Sequence, residues 1–397
     1  MNKKYFYAAA TLVASVLASS ASASELEIRG NVELQGRFFT EDALFPSQHD
    51  TGFSLAAMPE FFWRWNDGDD SLEFIPSLRL DQHDDERTHG DIRELAWIHV
   101  GDNWESRVGV RRVFWGVTEF QHLVDIINQS DSVEDIDNED KLGQPMVNLS
   151  IVRDWGIVDF YLMPYFRERT FAGAEGRPGI PFINADNAIF QSEDEEEHID
   201  LAVRWAHSID AFEIAVSWFD GTSREPLLIP SPQNPGELVP LYLQISQLGF
   251  ELQANLEEAL WKLEMIHNEN DLEDYWALQG GIEYSQYGIM DSNADLGWLV
   301  EYAWDERGED APTNFQNDIF FGTRLAMNDV DSSELLFGFS YDLDFESTSV
   351  LLEASKRFGN SIKVSVDMRL FNADEPADPL YLFRFDDHVQ VTAQYYF

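Results

Sequence analysis

The sequence predicts an all-β fold, a transmembrane antiparallel up-and-down β-barrel of about eighteen strands. Three observations predict it. Segments of about ten residues alternate apolar and polar side chains, and they recur from residue 26 to the end of the chain. The connections between them are alternately short and long. The last segment ends on an aromatic residue, in Tyr395-Tyr396-Phe397.

The N-terminus has the three-part layout of a secretory signal peptide. A positive start, Lys3-Lys4, precedes a mostly apolar stretch (5–18) and the small-residue cleavage site Ala21-Ser22-Ala23. The apolar stretch is shorter than the roughly 20 residues that a transmembrane helix needs. We therefore expect residues 1–23 to be removed on export, and residues 24–397 to form one barrel domain.

The composition excludes several classes of protein. A formal net charge of −47 repels phosphates, so nucleic acid is not an expected partner. This charge fits either a cation-attracting surface or a surface adapted to salty water, and we favour the second. A disordered acidic chain is excluded because 44% of the residues are hydrophobic and 14% are aromatic. The chain contains no cysteine, and a closed hydrogen-bonded barrel is stable without disulfides.

The C-terminal segment shows the alternation most clearly. One face carries the apolar residues Phe383, Phe385, Val389, Val391, Ala393, Tyr395 and Phe397. The even-numbered residues from 384 to 396 are polar or aromatic and lie on the other face. A period of two directs the first set toward lipid and the second toward the interior. The terminal Tyr395 and Phe397 resemble the signal by which barrel-assembly machinery recognises its substrates for membrane insertion.

The same pattern predicts an even number of strands, as single-chain bacterial barrels have. We place them at residues 26–40, 51–66, 71–82, 90–101, 104–115, 145–154, 157–166, 197–207, 211–220, 239–254, 258–268, 275–287, 295–305, 315–327, 333–343, 347–358, 360–371 and 381–397. If both termini lie on one side, the connections on that side are turns, and the long loops face the other side. A soluble sandwich gives no reason for this asymmetry.

Some positions disturb the pattern. The alternation slips near Gln247, so we expect a bulge or a misplaced strand within 239–254. Pro59, Pro76 and Pro164 fall inside predicted strands, where each removes a ladder hydrogen bond and marks a bulge.

The most informative connection is 116–144. Its apolar residues have helix-like i, i+3, i+4 spacing, and they are Phe120, Leu123, Val124, Ile126 and Ile127. We predict a short amphipathic helix folded into the lumen; packing over the barrel rim is the alternative. The acidic runs 131–140 and 193–197 lack the spacing of a calcium-binding loop, and we expect them to be solvated.

Charged residues within the strands are expected to point inward, because Arg or Lys facing lipid costs about 2–4 kcal/mol at the membrane midplane. Our candidate lumen or constriction residues are Arg64, Arg79, Arg107, Arg111, Glu119, His122, Asp125 and Arg384. Such charges either set a field across a constriction or pair across strands and hold the wall together. Arg107 and Arg111, just before the long loop, are the strongest candidates for the constriction.

Four short motifs occur in order along residues 93–129. They are Arg93-Glu94-Leu95, Arg107-Val108-Gly109, Val113-Phe114-Trp115-Gly116 and Val124-Asp125-Ile126-Ile127-Asn128-Gln129. In this order they resemble an uncharacterised family of proteobacterial outer-membrane barrels. Gln129 stands where that family often has proline. The resemblance implies a Gram-negative outer-membrane location and a role in envelope transport.

We expect a porin-like channel through which small hydrophilic solutes or ions diffuse, with outer-membrane lipid as its surroundings. One alternative is a substrate-specific conduit for a lipid or polysaccharide, working with periplasmic partners. A second is an outer-membrane hydrolase, but the sequence contains neither G-x-S-x-G nor H-E-x-x-H. We therefore expect no catalytic residues, metal or cofactor. Substrate, ion selectivity and homo-oligomerisation stay open.

Overall fold

A computed structural model describes residues 25–313 and 315–397. The predicted signal peptide, residues 1–23, lies outside these ranges. The described residues form one closed antiparallel barrel of 18 strands, as the alternation predicts. The last residue closes the ring, because the Phe397 N–H donates to the Gly30 carbonyl oxygen at 3.1 Å and the Gly30 N–H donates to the Phe397 carbonyl oxygen at 3.2 Å.

The strands, numbered along the chain, are β1 (Glu25–Phe39), β2 (Thr51–Trp65), β3 (Asp70–Asp81), β4 (Gly90–Val100), β5 (Trp104–Arg111), β6 (Gln144–Arg153), β7 (Gly156–Met163), β8 (Ile189–Phe190), β9 (Asp200–Ile209), β10 (Phe212–Thr222), β11 (Leu227–Pro230), β12 (Leu238–Tyr242), β13 (Gln244–Leu256), β14 (Ala259–Asn270), β15 (Asp274–Gln286), β16 (Asp295–Asp305), β17 (Asn317–Ala326), β18 (Glu334–Asp342), β19 (Thr348–Phe358), β20 (Ile362–Asn372) and β21 (His388–Tyr396). Each wall strand pairs with the next wall strand in the chain, and β21 pairs with β1. The short strands β8, β11 and β12 form a separate sheet.

The helices of the described part are short 3₁₀ segments, at Asn66–Gly68, Ala185–Asn187, Glu195–Glu197, Ile289–Asp291, Gly308–Asp310 and Pro379–Phe383. None of the helices in the described ranges is long and apolar enough to cross a membrane.

The barrel is apolar outside and polar inside. On β21, Val391 and Tyr395 are 38% and 54% exposed on the outer face, whereas Gln390 and Thr392 are 8% and 5% exposed on the inner face. The same alternation runs around the wall. A soluble sandwich would bury its apolar faces, so this alternative is excluded. So large an exposed apolar surface calls for a covering such as lipid.

The two ends of the barrel differ. The end at which β1 begins and β21 ends has only turns between strands, of which 287–294 is the longest, and we call it the turn end. The opposite end carries the connections 112–143, 164–199 and 223–243, and we call it the loop end. The predicted asymmetry between turns and loops is therefore confirmed.

The prediction for 239–254 was wrong in its first part. Residues 238–242 leave the wall and form β12, which pairs with β11 and β8. Tyr242 explains the departure, because its ring is fully buried and packs against Phe166 at 4.8 Å and Phe190 at 5.2 Å. Within β13 the pairing at Gln247 is regular, and the slip in the sequence pattern reflects Ile245, an apolar residue that faces inward and packs in the cluster with the inner loop.

The last wall strand is shorter than predicted, since it begins at His388 and not at residue 381. Residues 379–383 form a 3₁₀ turn instead, and the Asp378 carboxylate accepts a hydrogen bond from the Leu380 N–H at 2.7 Å. Phe383 and Phe385 therefore do not belong to the outer face of β21, and Arg384 does not belong to its inner face.

The prolines have different outcomes. The register between β3 and β4 shifts between Ile75 and Pro76, as a bulge requires. Pro59 pairs in regular register with Gly30 of β1, while the pairing between β2 and β3 is interrupted beside it. Pro164 follows the last residue of β7 and lies outside the strand.

The position of the lipid-facing surface gives a first prediction. Val366 lies at the middle of β20 and pairs with Val391 on the outer face, whereas its neighbour Ser365 points inward and pairs with Thr392. We expect Val366→Arg to lower the free energy of unfolding in lipid vesicles by about 2–4 kcal/mol, because the guanidinium would face hydrocarbon.

The matched control is Ser365→Arg, which adds the same side chain one residue away on the inner face. Urea unfolding in vesicles measures both variants. Equal destabilisation by the two substitutions would contradict the placement of the outer face.

Candidate functional site

The connection between β5 and β6, residues 112–143, lies inside the barrel, and we call it the inner loop. Its first half contacts β14, β16 and β17, and its second half contacts β1, β3, β4 and β20. These strands lie on different sides of the wall, so the inner loop spans the lumen. The predicted fold into the lumen is confirmed and the rim alternative is excluded.

The predicted helix within this connection was wrong, since residues 112–143 contain no helical segment. The apolar residues that suggested it are buried for another reason. Val124, Ile126 and Ile127 are at most 7% exposed and share one cluster with Trp115 of the inner loop. Wall residues from several strands complete this cluster, namely Met146, Tyr161, Met163, Ala202, Phe219, Ile245, Ile266 and Ala277. The spacing therefore reflects burial against the wall.

A buried carboxylate on β14 holds the start of the inner loop. Oε1 of Glu264 accepts hydrogen bonds from the N–H groups of Val117 and Thr118 at 2.6 and 2.9 Å, and from the Thr118 hydroxyl at 2.6 Å. Oε2 accepts from the Val124 N–H at 3.3 Å. The Glu264 side chain is fully buried, and these donors replace the water that it would otherwise bind. In a helix, these backbone N–H groups would donate to carbonyl oxygens of the same segment. Here they donate to a wall carboxylate instead.

A second buried carboxylate, Glu301 on β16, holds the tip of the inner loop. It accepts from the N–H groups of Glu119 and Phe120 at 3.0 and 3.2 Å, and from Nε2 of Gln279 at 2.7 Å. The Phe120 ring stacks on the buried Phe320 ring of β17, with centroids 4.6 Å apart. The tip is therefore fixed by polar and aromatic contacts together.

The side chain of Glu119 bridges two cations of the wall. It forms ion pairs with Lys262 of β14 and, at 3.0 Å, with Arg324 of β17. Burial raises the pKa of Glu119, but the two cations outweigh it, so that the pKa lies below its ordinary value. A charged Glu119 thus lies at the tip of the inner loop.

The acidic second half of the inner loop meets a basic wall. Asp131 Oδ2 lies 2.5 Å from Arg93 of β4, and Glu134 Oε2 lies 2.6 Å from Arg79 of β3. Further along, Asp137 pairs with Arg369 of β20 at 2.7 Å. Arginines that point into a closed lumen need counter-charges, and this part of the loop supplies them.

The prediction that 131–140 is solvated was therefore wrong for its first part, since Asp131 is fully buried and Glu134 is 9% exposed. Arg93 and His89 lower the pKa of Asp131 far below its ordinary value, although burial opposes them. The other acidic run, 193–197, stays mostly exposed, as predicted.

His122 and Asp125 join the two halves of the inner loop. His122 Nε2 lies 3.2 Å from Oε1 of Glu139, and its Nδ1 lies 3.9 Å from the Glu264 carboxylate. Burial lowers the pKa of His122, but these two carboxylates outweigh it and raise the pKa to about 10, so the ring is a cation at neutral pH. Asp125 pairs with Lys141 at 3.3 Å. Burial nevertheless raises the pKa of Asp125 above its ordinary value.

Three of the predicted site residues, Glu119, His122 and Asp125, lie in the inner loop, and a fourth, Arg79, pairs with Glu134 of its second half. Arg107 and Arg111 lie on the adjoining wall strand, and both approach Oδ1 of Asn148, at 3.5 and 3.0 Å. Arg107 also pairs with Glu105. These two arginines line the lumen beside the inner loop, and the contacts that hold the loop come from other strands.

The other predicted residues lie elsewhere. Arg64 is exposed near the turn end. Arg384 lies in the connection 373–387, with its guanidinium 3.7 Å from the centre of the Tyr381 ring. Tyr395 and Phe397, the expected insertion signal, are 54% and 53% exposed.

The candidate site residues chosen from the sequence did not include the anchors Glu264 and Glu301, nor Lys262 on β14, nor Arg93, which pairs with Asp131. The alternation carried a signal for them, since Lys262 and Glu264 alternate with Leu263 and Met265 along β14. Of these residues, only Glu301 was predicted to face inward, and the alternation contained nothing about what any of them binds.

A second layer of loops covers the loop end. Residues 164–199 reach across the mouth, where Arg177 pairs with Asp386 at 2.7 Å and with Asp50 at 2.8 Å. Burial raises the pKa of Asp386 to about 6, although Arg177 opposes this. The covering loop is thereby joined to the connections on both sides of β1.

The sequence matches no family model and no curated protein. Similar solved structures exist. One is a BenF-like porin from Pseudomonas fluorescens Pf-5, with a TM-score of 0.55 and 10% identity over 94% of this chain and 98% of that chain. Another is Wzi of Escherichia coli, an outer-membrane protein involved in group 1 capsule assembly and described as a carbohydrate-binding β-barrel. Its TM-score is 0.53 at 10% identity, over 92% of this chain and 84% of that chain. The chain thus has the fold of porin-like outer-membrane barrels.

The pairing of the inner loop with the basic wall gives a second prediction. We expect Asp131→Asn to lower the free energy of unfolding by about 3 kcal/mol, because Arg93 would lose its nearest counter-charge while staying buried. Urea unfolding at neutral pH measures the loss. Glu193→Gln, in the exposed acidic run, removes the same charge and is the control, with an expected change within about 0.5 kcal/mol. Equal effects of the two substitutions would refute the pairing.

The charge on His122 gives a third prediction, on pH. Its folded pKa of about 10 exceeds the ordinary value of 6.5. The charged ring therefore stabilises the fold fully below about pH 6.5, and this stabilisation declines as pH rises and is lost above about pH 10. We expect the stability difference between the wild type and His122→Gln to shrink over this range in urea unfolding. A difference that does not vary with pH would be the contrary result.

Proposed function

We propose that the protein is a channel of the Gram-negative outer membrane through which small hydrophilic solutes or ions diffuse, and that the inner loop is its constriction. The observation that carries this proposal is the inner loop itself. It spans the lumen, and buried carboxylates hold it from β14 and β16, across the barrel from the strands β5 and β6 that it connects. The apolar exterior and the contrast between the turn end and the loop end support the membrane location.

The inner loop has the contacts of a fixed constriction. Glu264 and Glu301 accept hydrogen bonds from backbone N–H groups of the loop. A change of side-chain rotamer in the loop does not move these donors. Phe120 adds an aromatic contact to the wall. The basic wall binds the second half at Asp131 and Glu134. Loosening such a loop requires buried charges to lose their partners, which is costly.

The lumen toward the turn end offers polar groups to a passing solute. The side chains of Arg29, Arg107 and Arg324 are 58%, 29% and 50% exposed. Carboxylates accompany them, with Glu60 2.6 Å from Arg29. A wall that alternates exposed cations and anions suits hydrated solutes better than apolar ones. Most arginines at the level of the inner loop are paired, so we assign Arg79 a structural role and leave contact with solutes to Arg107 and Arg111.

A second candidate function is a conduit for a specific polymer such as a polysaccharide. The covering loop favours it, because Arg177 and its partners hold residues 164–199 across the mouth. The fold likeness to Wzi, which is described as carbohydrate-binding, is compatible with this candidate.

A hydrolase has no support from the geometry. The hydrogen bonds of the histidine rings within 25–313 and 315–397 go to carboxylates and backbone carbonyls, and none goes to a serine hydroxyl.

The channel proposal gives a fourth prediction. In planar bilayers we expect stepwise conductance from the purified protein. Glu264→Gln places an amide N–H against the Val124 N–H, so the inner loop should loosen and the single-channel conductance should become larger and noisier.

The control is Glu269→Gln, which makes the same change at the loop end of the same strand. It should leave the conductance as in the wild type. A wild-type barrel that stays silent in the bilayer would refute the channel and favour the polymer conduit, which is then tested by binding of oligosaccharides.

A further inference from the structure

Three potential metal ligands meet at the loop end, each from a different connection. They are His49 from 40–50, His83 from 82–89 and Glu175 from 164–199, and one donor atom of each lies within 4.8 Å of the others. His49 Nε2 is 3.3 Å from Oε2 of Glu175, and the two imidazole rings stack with centroids 3.8 Å apart. A tetrahedral zinc ion with ligand bonds of 2.0–2.1 Å needs donors roughly 3.3 Å apart. The donors are already within 4.8 Å of one another, and binding would require the stacked imidazole rings to rotate so that both nitrogens face the ion.

The backbone that carries His49 and Glu175 is already fixed without an ion. The Ser47 hydroxyl donates to the Ala174 carbonyl at 2.7 Å, and Nε2 of Gln48 donates to the Gly176 carbonyl at 2.9 Å. Both bonds join the neighbourhoods of the two ligands. Their donors, Ser47 and Gln48, lie within two residues of His49, and their acceptors, Ala174 and Gly176, lie directly beside Glu175. A site whose supporting contacts form independently loses little entropy when an ion binds.

The third ligand is held in the same way. Asp84, next to His83, accepts hydrogen bonds from the Gly173 N–H at 3.1 and 3.2 Å through its two oxygens. The His83 N–H itself donates to Asp81 at 3.0 Å. The three connections are thus anchored to one another within two residues of every ligand.

Another cluster of similar composition serves as a comparison, namely His89, Asp131 and Glu134 beneath the mouth. Arginines occupy its carboxylates, with Arg93 2.5 Å from Asp131 and Arg79 2.6 Å from Glu134. Two guanidinium groups repel a metal cation, so this cluster is an ion-pair network. Similar donors therefore do not suffice to make a site.

At the mouth, the neighbouring arginines are engaged elsewhere. Arg37, Arg87 and Arg177 line the cavity below His49 and His83. Arg87 pairs with Asp81 at 2.7 Å and Arg177 pairs with Asp386, while Arg37 donates to Gln390 and to the Glu134 carbonyl. His49 and Glu175 are also accessible from outside, at 42% and 59% side-chain exposure. The strongly acidic chain, with a net charge of −47, favours the approach of cations.

We propose that His49, His83 and Glu175 bind one divalent transition-metal ion of the Zn²⁺ class, which joins the three connections across the mouth. Two imidazole nitrogens select such an ion over Mg²⁺ and Ca²⁺, which prefer oxygen ligands. Three protein ligands leave one coordination position for water or for a group of a passing solute. The ion would strengthen the loop cover without touching the inner loop.

Isothermal titration of the mature, untagged protein in detergent micelles tests the site. With ZnCl₂ we expect one saturable binding event, and with MgCl₂ at the same concentration none. His49→Ala and His83→Ala should each weaken zinc binding at least about tenfold. His89→Ala, in the comparison cluster, and His207→Ala, on β9 of the wall, should leave it unchanged.

A spectroscopic readout separates this site from adventitious binding to acidic loops. Co²⁺ bound through imidazoles absorbs in the visible range, and we expect this band to disappear in His83→Ala. Glu175→Gln keeps both histidines and provides a second, milder variant should an alanine variant fail to fold. Zinc binding that persists in the variant lacking both His49 and His83, or a wild type without saturable binding, would overturn the proposal.

Discussion

The structure depends on closure of the hydrogen-bonded wall, which β1 and β21 complete where Gly30 and Phe397 exchange backbone hydrogen bonds. Closure leaves no unpaired edge in the wall, so the apolar residues of every wall strand can face lipid. The residues that alternate with them along each strand must then point inward, and many of these inward-facing residues are charged. The inner loop supplies counter-charges to three of these residues, namely Arg79, Arg93 and Arg369.

The inner loop and the wall form two kinds of polar contact with each other. In its first half, backbone N–H groups of the loop meet carboxylates of the wall, as at Glu264 and Glu301. In its second half, carboxylates of the loop meet guanidinium groups of the wall, as between Asp131 and Arg93. Each half satisfies groups that would otherwise be buried without a partner. The loop is consequently ordered without any regular secondary structure.

Much of the fold follows from local sequence, because side-chain alternation with period two is a direct consequence of pleating and of the two environments of a barrel wall. Where local pattern failed, a distant contact had decided the structure. The helix expected around Phe120 is replaced by bonds to Glu264 and Glu301, far along the chain, and burial of Tyr242 withdraws β12 from the wall. Of the site, Arg79 was identifiable as an inward-facing charge, and Glu119, His122 and Asp125 were candidates in the long loop, but the partners of these residues were not identifiable.

The carboxylates that hold the first half of the inner loop lie far beyond it in sequence. The loop precedes β6, whereas Glu264 is on β14 and Glu301 is on β16, 146 and 182 residues after the Thr118 and Glu119 groups that they bind. Without β14 and β16, the first half of the inner loop therefore lacks the groups that order it. A chain truncated before β14 would keep the ion pairs of the second half with Arg79 and Arg93 but would lose the bonds that hold the tip across the lumen.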